Sequence, residues 1–177
     1  MTCEADVRLA QQGHKEAFVR LIKVTEGTMY RVAKSMLHSE EAVADAIQDT
    51  ILKSYSSITS LREPQFFKTW IIRILINRCH QMLKSDKRLV PMGEWIDSVE
   101  GSAPYESIEL QDLLNGLKVD HRVIVTLYYL EDISIKDIAE ILQIPAGTVK
   151  SRLSAARKQL MILLRSDGEG RISYDFH

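Results

Sequence analysis

Apolar positions recur along this chain at intervals of three and four, and no run alternates strictly between hairpin turn signals, so the pattern predicts an all-α protein. A first helix is expected from about Glu4 to Gln12, stopped by Gly13. A second runs from His14 to about Leu37, with Phe18, Leu21, Ile22, Thr25, Met29, Val32 and Met36 on one face. Ser39 is suited to cap a third, whose inner stripe is Val43, Ile47, Ile51 and Ser54. Asp45, Gln48, Asp49 and Leu52 share another face of that helix, polar but ending in an exposed leucine. After a turn around Leu61 to Pro64, the segment FFKTWIIRILINRCHQMLK places Phe67, Trp70, Ile71, Ile74 and Leu75 in a core stripe. Further on, Ser134 to Asp137 reads as a capping box that opens a short helix with Ile135, Ile138, Ala139 and Leu142 inward. Pro145 then begins another, with Val149, Leu153, Ala156 and Leu160 inward. Ala139 at the crossing and Val149 as the apolar anchor give this pair the grammar of a helix-turn-helix.

With 177 residues, 45% of them hydrophobic and 27% charged, the chain can bury real cores, which excludes wholesale disorder. Two of its four prolines and two of its eight glycines fall in LVPMGEWIDSVEGSAPY, and Pro91 to Asp112 holds six acids and no Lys or Arg. That composition predicts a flexible acidic linker over 89–106 between two small helical domains, 1–88 and 107–166, with a mobile tail over 167–177. The longest aliphatic run, Leu160 to Leu164, is far short of the ~20 residues of a membrane span. The N-terminal MTCEADVRLAQQG carries acids where a signal peptide carries bases, so the cytoplasm is the expected location. Cys3 and Cys79 lie far apart and lack partners at zinc-ligand spacing, so they read as a terminal thiol and a helix-packing thiol, with no metal site.

The net charge of −1 makes global basicity uninformative, and charge has to be read locally. Between Arg62 and Arg88 seven bases stand against Glu63 and Asp86, with Arg73, Asn77 and Lys84 aligned along one helix face. Such a face tracks phosphates, and aromatic residues beside it stack unpaired bases, although Phe67 and Trp70 are assigned to packing first. From Pro145 to Arg165 there are five bases and no acid, the electrostatics of a helix that faces DNA. The Asp45, Gln48, Asp49, Leu52 face is either a solvated acidic surface or a docking face for a basic, partly apolar partner. No nucleophile motif, phosphate-binding glycine loop or metal-ligand pair is found, and the five histidines are scattered, so neither enzymatic activity nor a cofactor is expected.

Two stretches, AVADAIQDTILKSY with FFKTWIIRILINRC, and YLEDISIKDIAEILQIPAGTVKSRLSAARKQL, resemble the sigma-2 and sigma-4 domains of bacterial sigma factors of the extracytoplasmic-function (ECF) group of the sigma-70 family. The resemblance spans about residues 14–165 in the expected order, with the acidic linker in place. It implies a subunit that joins core RNA polymerase at its clamp coiled coil and flap, performs no chemistry, and directs promoter-specific initiation. By this resemblance Asp45, Gln48, Asp49 and Leu52 would dock on the clamp. Arg62, Lys68, Arg73, Asn77, Arg78 and Lys84, with the loop from Ser57 to Gln65, would hold the unstacked minus-ten strand. Thr148, Lys150, Ser151, Arg152 and Arg157 would engage the minus-thirty-five element of promoter DNA in the major groove. Control by an anti-sigma factor, often membrane-bound, and a response to envelope or other stress are also implied.

The chain departs from the family pattern at Ala42, Val43 and Ala44, where acids are common, and at Gln143, where a glycine is usual in the turn. Ser154 and Ala155 replace bulky or basic residues, and Val119-Asp120 replaces the usual Leu-Pro. The competing reading is a helix-turn-helix repressor or activator acting without polymerase, which leaves the basic stripe of Arg62 to Arg88 unexplained.

Overall fold

In a computed structural model, residues 3–89 and 105–171 are described, with side chains over 3–85 and 110–165. Most of the acidic linker, 90–104, and the end of the tail, 172–177, lie outside the described residues. Among the described residues every regular element is helical. The first four are α1 (Cys3–Gln11), α2 (Lys15–Met36), α3 (Glu40–Ser57) and α4 (Phe67–Leu89). They are followed by α5 (Tyr105–Asn115), α6 (Val119–Val125), α7 (Ile135–Leu142) and α8 (Ala146–Arg171).

Gly13 ends α1 with φ +95, a left-handed conformation that favours glycine. The Ser39 side chain accepts from Ala42 N at 3.1 Å and starts α3 as expected. Burial along α3 is rotated from the expected stripe: Val43, Ala46, Thr50 and Ser54 are buried, whereas Ile47 and Ile51 are only partly covered. Thr50 sits there at no polar cost because its hydroxyl donates to Ala46 O at 2.7 Å. In α4 the expected Phe67, Ile71 and Leu75 are buried, but Ile72, Ile76 and Cys79 join them while Trp70 and Ile74 are half-exposed. The helix is covered on more than one side, by α2 and α3 and also by α7 of the second half of the chain. Burial pushes the Cys79 thiol up to about 12, so this buried thiol stays protonated.

In the second half, Arg122 is buried and donates through Nη2 to Asn115 O at 3.2 Å and Leu117 O at 3.0 Å, satisfying carbonyls at the end of α5. After α6 a π-helical turn over Thr126–Leu130 leads into Glu131 and Asp132, the latter with φ 53. Ser134 accepts from Asp137 N at 3.1 Å and donates to its carboxylate at 2.7 Å, which opens α7. In α7 Ile138 and Ile141 are the buried residues, and Ile135, Ala139 and Leu142 lie at the margin, because the helix packs against both α8 and α4. Gln143 adopts φ 55 and ψ 43, and Ile144 N donates to Ala139 O at 3.1 Å, closing the helix as the glycine-less turn requires. A non-glycine residue there costs on the order of 1 kcal/mol. The last helix continues through Gly168 and Gly170 to Arg171, so the expected tail begins as helix rather than as loose chain.

The two halves are packed together, α2 against α6 and the π turn, α4 against α7. At the centre of this contact is Glu131, whose side chain is 2% exposed. Its carboxylate accepts from Thr28 Oγ1 at 2.6 Å and from Arg31 Nε at 2.5 Å, while Lys68 Nζ donates to its backbone oxygen at 3.0 Å. Burial alone would raise the Glu131 carboxyl, but the Arg31 and Thr28 hydrogen bonds and the neighbouring cations outweigh it and hold the group below its ordinary 4.5. The contribution of this contact is therefore present above the unfolded value and lost as pH falls through the lower folded one.

Candidate functional site

On α3, Asp45, Gln48 and Leu52 are exposed side by side, Leu52 to 62%, and Asp49 is half-buried beside them. Next to them runs a groove of about 360 Å³ between α2 and α3, with Glu26, Tyr30 and Glu40 at its polar edge and Ile47, Ile51 and Leu52 along its apolar side. Glu40 forms an ion pair with Lys34 and accepts from the Tyr30 hydroxyl at 3.1 Å. Partial burial and the Glu40 carboxylate raise the Tyr30 phenol, keeping it a donor. Periodicity had assigned Ile47 and Ile51 to the core; their partial exposure is what makes the floor of this groove apolar. Asp49 is otherwise engaged, for Arg78 Nε donates to its Oδ2 at 2.6 Å. The structure thus joins one expected docking residue to one expected DNA-contacting residue.

The basic residues lie along α4 and just before it. Arg62, Lys68, Arg73, Asn77 and Lys84 are exposed, and Arg78 is half-buried through its pair with Asp49. Lys68 is 45% exposed, and its ammonium is turned toward Glu131. Phe67 is fully buried with its ring 6.0 Å from that of Trp70, so it is a packing residue as expected. Phe66, immediately before it, is 45% exposed and was missed; the signal was the FF pair, of which only one member can face inward at the start of a helix. Burial lowers the His80 pKa, with Lys84 acting in the same direction and Asp120 against it.

In the helix-turn-helix, Val149, Leu153 and Ala156 are buried as expected and anchor α8. Thr148 N donates to Pro145 O at 2.9 Å and starts the helix. Lys150, Ser151 and Arg157 are exposed and Thr148 and Arg152 half-exposed, with Ser154 and Ala155 on the same open surface. Arg152 Nη1 lies 3.4 Å from Asp120 Oδ2, which gives the Val119-Asp120 departure a structural use. An exposed pair of this kind is worth about 0–1 kcal/mol and is readily released to a phosphate or base. Arg157 Nε donates to the Tyr129 hydroxyl at 2.5 Å, and the guanidinium lies 5.7 Å from the centre of that ring. Among the described residues no group of three His, Cys, Asp or Glu side chains is placed to hold a metal ion, and no helix is long and apolar enough to cross a membrane.

Sigma-70 region 2 matches residues 21–89, and sigma-70 region 4 matches residues 107–160. The ECF RNA polymerase sigma factor SigM of Mycobacterium tuberculosis is 30% identical over 86% of this chain and 79% of its own length. The chain belongs to the ECF group of the sigma-70 family. The ECF RNA polymerase sigma-E factor of Haemophilus influenzae is 29% identical, covering 90% of this chain and 94% of that one. Among solved structures, the sigma factor RpoE of Bartonella quintana, in complex with the anti-sigma factor NepR, superposes with a TM-score of 0.76 at 28% identity, over 85% of this chain and 98% of that one.

As an alternative sigma factor the chain binds core RNA polymerase and directs promoter-specific initiation, in a family of non-enzymatic initiation factors. The free-standing repressor reading is not favoured by these relatives. Region 2 of the sigma factor contains the α2/α3 groove and the basic face of α4, and region 4 contains the helix-turn-helix.

Proposed function

We propose that the sigma factor docks on the polymerase clamp through Asp45, Gln48 and Leu52, holds the opened minus-ten strand on α4, and reads the minus-thirty-five element with the start of α8. The observation that carries this reading is the exposure of Asp45, Gln48 and Leu52 together at the rim of an apolar groove. An acidic and apolar face of this kind complements a basic, partly apolar coiled coil. Asp49 contributes by orienting Arg78 rather than by direct docking, and domain roles follow the boundaries 1–88 and 107–166. Phe66 is an exposed aromatic beside the basic face, available for stacking an unpaired base. Run-off transcription with purified core polymerase and fragmented genomic DNA tests the whole: new start sites sharing two upstream elements are expected, and their absence, with duplex binding by the chain alone, would overturn it.

Lys150→Ala and Arg152→Ala each weaken minus-thirty-five recognition by about 1–3 kcal/mol where the side chain reads a base, and change sequence preference at that position. A uniform loss on all upstream sequences, measured in the same transcription assay, would reassign that residue to phosphate contact. Phe66→Ala lowers promoter opening by about 1–3 kcal/mol while leaving polymerase binding intact, as read by permanganate reactivity of unpaired thymines.

The pairing of the Bartonella sigma factor with an anti-sigma factor supports control of this chain by such a partner, covering the Leu52 rim of the groove. The chain then acts in the cytoplasm, where its polymerase is, and is held at the membrane when the anti-sigma factor is anchored there. An envelope or other stress would release it. Co-purification with the protein encoded next to it is the expected result, and failure of every such pairing would count against anti-sigma control.

A further inference from the structure

The loop between α3 and α4 is tied down from a distance, by the N-terminal helix. Gln11, the last residue of α1, donates through its side-chain nitrogen to Ile58 O at 3.1 Å and to Leu61 O at 2.7 Å. The first of these carbonyls also closes the 3₁₀ turn Ile58–Ser60, accepting from Leu61 N at 3.2 Å. Two carbonyl oxygens side by side call for a donor with two hydrogens, and a neutral primary amide supplies both from one nitrogen. The helix that carries Gln11 is itself fixed. Arg20 of α2 donates to Asp6 through Nη2 at 2.5 Å and Nε at 3.1 Å, and α1 packs on both short turns of the loop, Ile58–Ser60 and Pro64–Phe66. Gln11 lies ahead of the stretch that matches sigma-70 region 2, so the tie comes from outside that stretch.

The same turn sorts the loop's side chains. Ile58 and Leu61 are buried pegs, while Arg62, Gln65 and Phe66 are exposed just before α4. A guanidinium, an amide and a ring are the groups that hold the phosphate, the edge and the face of an unpaired base. Recognition of that kind needs its groups fixed to within about 0.5 Å. Two isolated turns, closed by Leu61 N to Ile58 O and by Phe66 N to Glu63 O, hold a backbone weakly, and such segments open locally. We propose that Gln11 is a positioning residue for promoter reading: it holds the loop in the shape that presents Arg62, Gln65 and Phe66 together to an unpaired base of the opened strand. The part in promoter reading rests on the minus-ten assignment proposed above, whereas the hold on the loop rests on the geometry.

Gln11→Met keeps the length of the side chain and removes both donors. In the full free chain, exchange of the Leu61 amide hydrogen is expected to quicken about tenfold at unchanged helicity, the effect of two lost hydrogen bonds on a local opening. Gln11→Lys, whose ammonium donates to both carbonyls, restores slow exchange. With core polymerase, initiation is then measured on the strongest promoter found by the run-off mapping and on its single-base variants across the minus-ten element. In Gln11→Met the preference for the native base falls about tenfold at the position the loop reads, while polymerase affinity stays parental, and Gln11→Lys recovers the preference. Unchanged exchange at Leu61 would overturn the hold on the loop. Faster exchange with an equal loss, or no loss, on every template would overturn the part in promoter reading. Arg62→Ala and Gln65→Ala report on the loop itself. If neither alters the preference at any minus-ten base, the minus-ten assignment of the loop fails, and that failure is told apart from the hold by the exchange of Leu61.

Discussion

Phe67→Ala lowers the unfolding free energy of the sigma factor by about 3–5 kcal/mol, measured as a fall in the urea midpoint at constant slope. The ring is fully buried at the first turn of α4 and packs on Trp70, in the same core as Ile71, Leu75, Val32 and Met36. Truncation removes the transfer free energy of the ring and leaves a cavity that helices tied by close packing cannot close. Domains of this size are stable by only about 5–15 kcal/mol, so one side chain accounts for a large part of the total. Phe66→Ala at the neighbouring position lowers the unfolding free energy by only about 1 kcal/mol, since that ring is 45% exposed. Equal losses at the two positions would mean that both rings pack, and would remove Phe66 from base stacking.

Asp45→Arg combined with Leu52→Asp abolishes association with core polymerase, a loss of at least about 100-fold, or roughly 2.7 kcal/mol, in a fluorescence binding titration. Both side chains point outward from α3, so helicity and the urea midpoint stay at parent values. The pair reverses the charge of the face and places a carboxylate where the proposed docking surface presents an exposed leucine, two penalties that act at the same spot. Asp49→Arg is the less informative substitution. It would set two guanidinium groups against each other, because Asp49 already accepts from Arg78, and a defect would then mix polymerase docking with displacement of a residue on the basic side of α4. Association at parental strength in the Asp45, Leu52 variant would refute the docking assignment.

The helical pattern, the Ser39 and Ser134 caps and the Gly13 stop were all legible along the chain. Each depends on residues within a turn or two of one another, where local hydrogen bonding and side-chain period decide the outcome. The helix-turn-helix was legible for the same reason, its anchor Val149 lying close in sequence to the helix it packs on. Exposure was less legible where a helix touches more than one neighbour. Ile47 and Ile51 were expected inside and instead line a groove, and Ile72, Ile76 and Ile141 were not singled out and are buried, because α3, α4 and α7 are oriented by partners distant in sequence.

The sequence by itself determined the all-α class, the family, and where acidic, basic and apolar residues cluster, since those follow from period, composition and motif. Only the tertiary structure decided which clustered side chains are free and which are engaged. Asp49 and Arg78 are far apart along the chain and meet because α3 and α4 pack side by side. Glu131 is one acid among many in the sequence, and it becomes a buried charge with partners on two other helices only when the two halves of the chain are brought together, since burial and pairing are properties of the assembled surfaces and not of the residue.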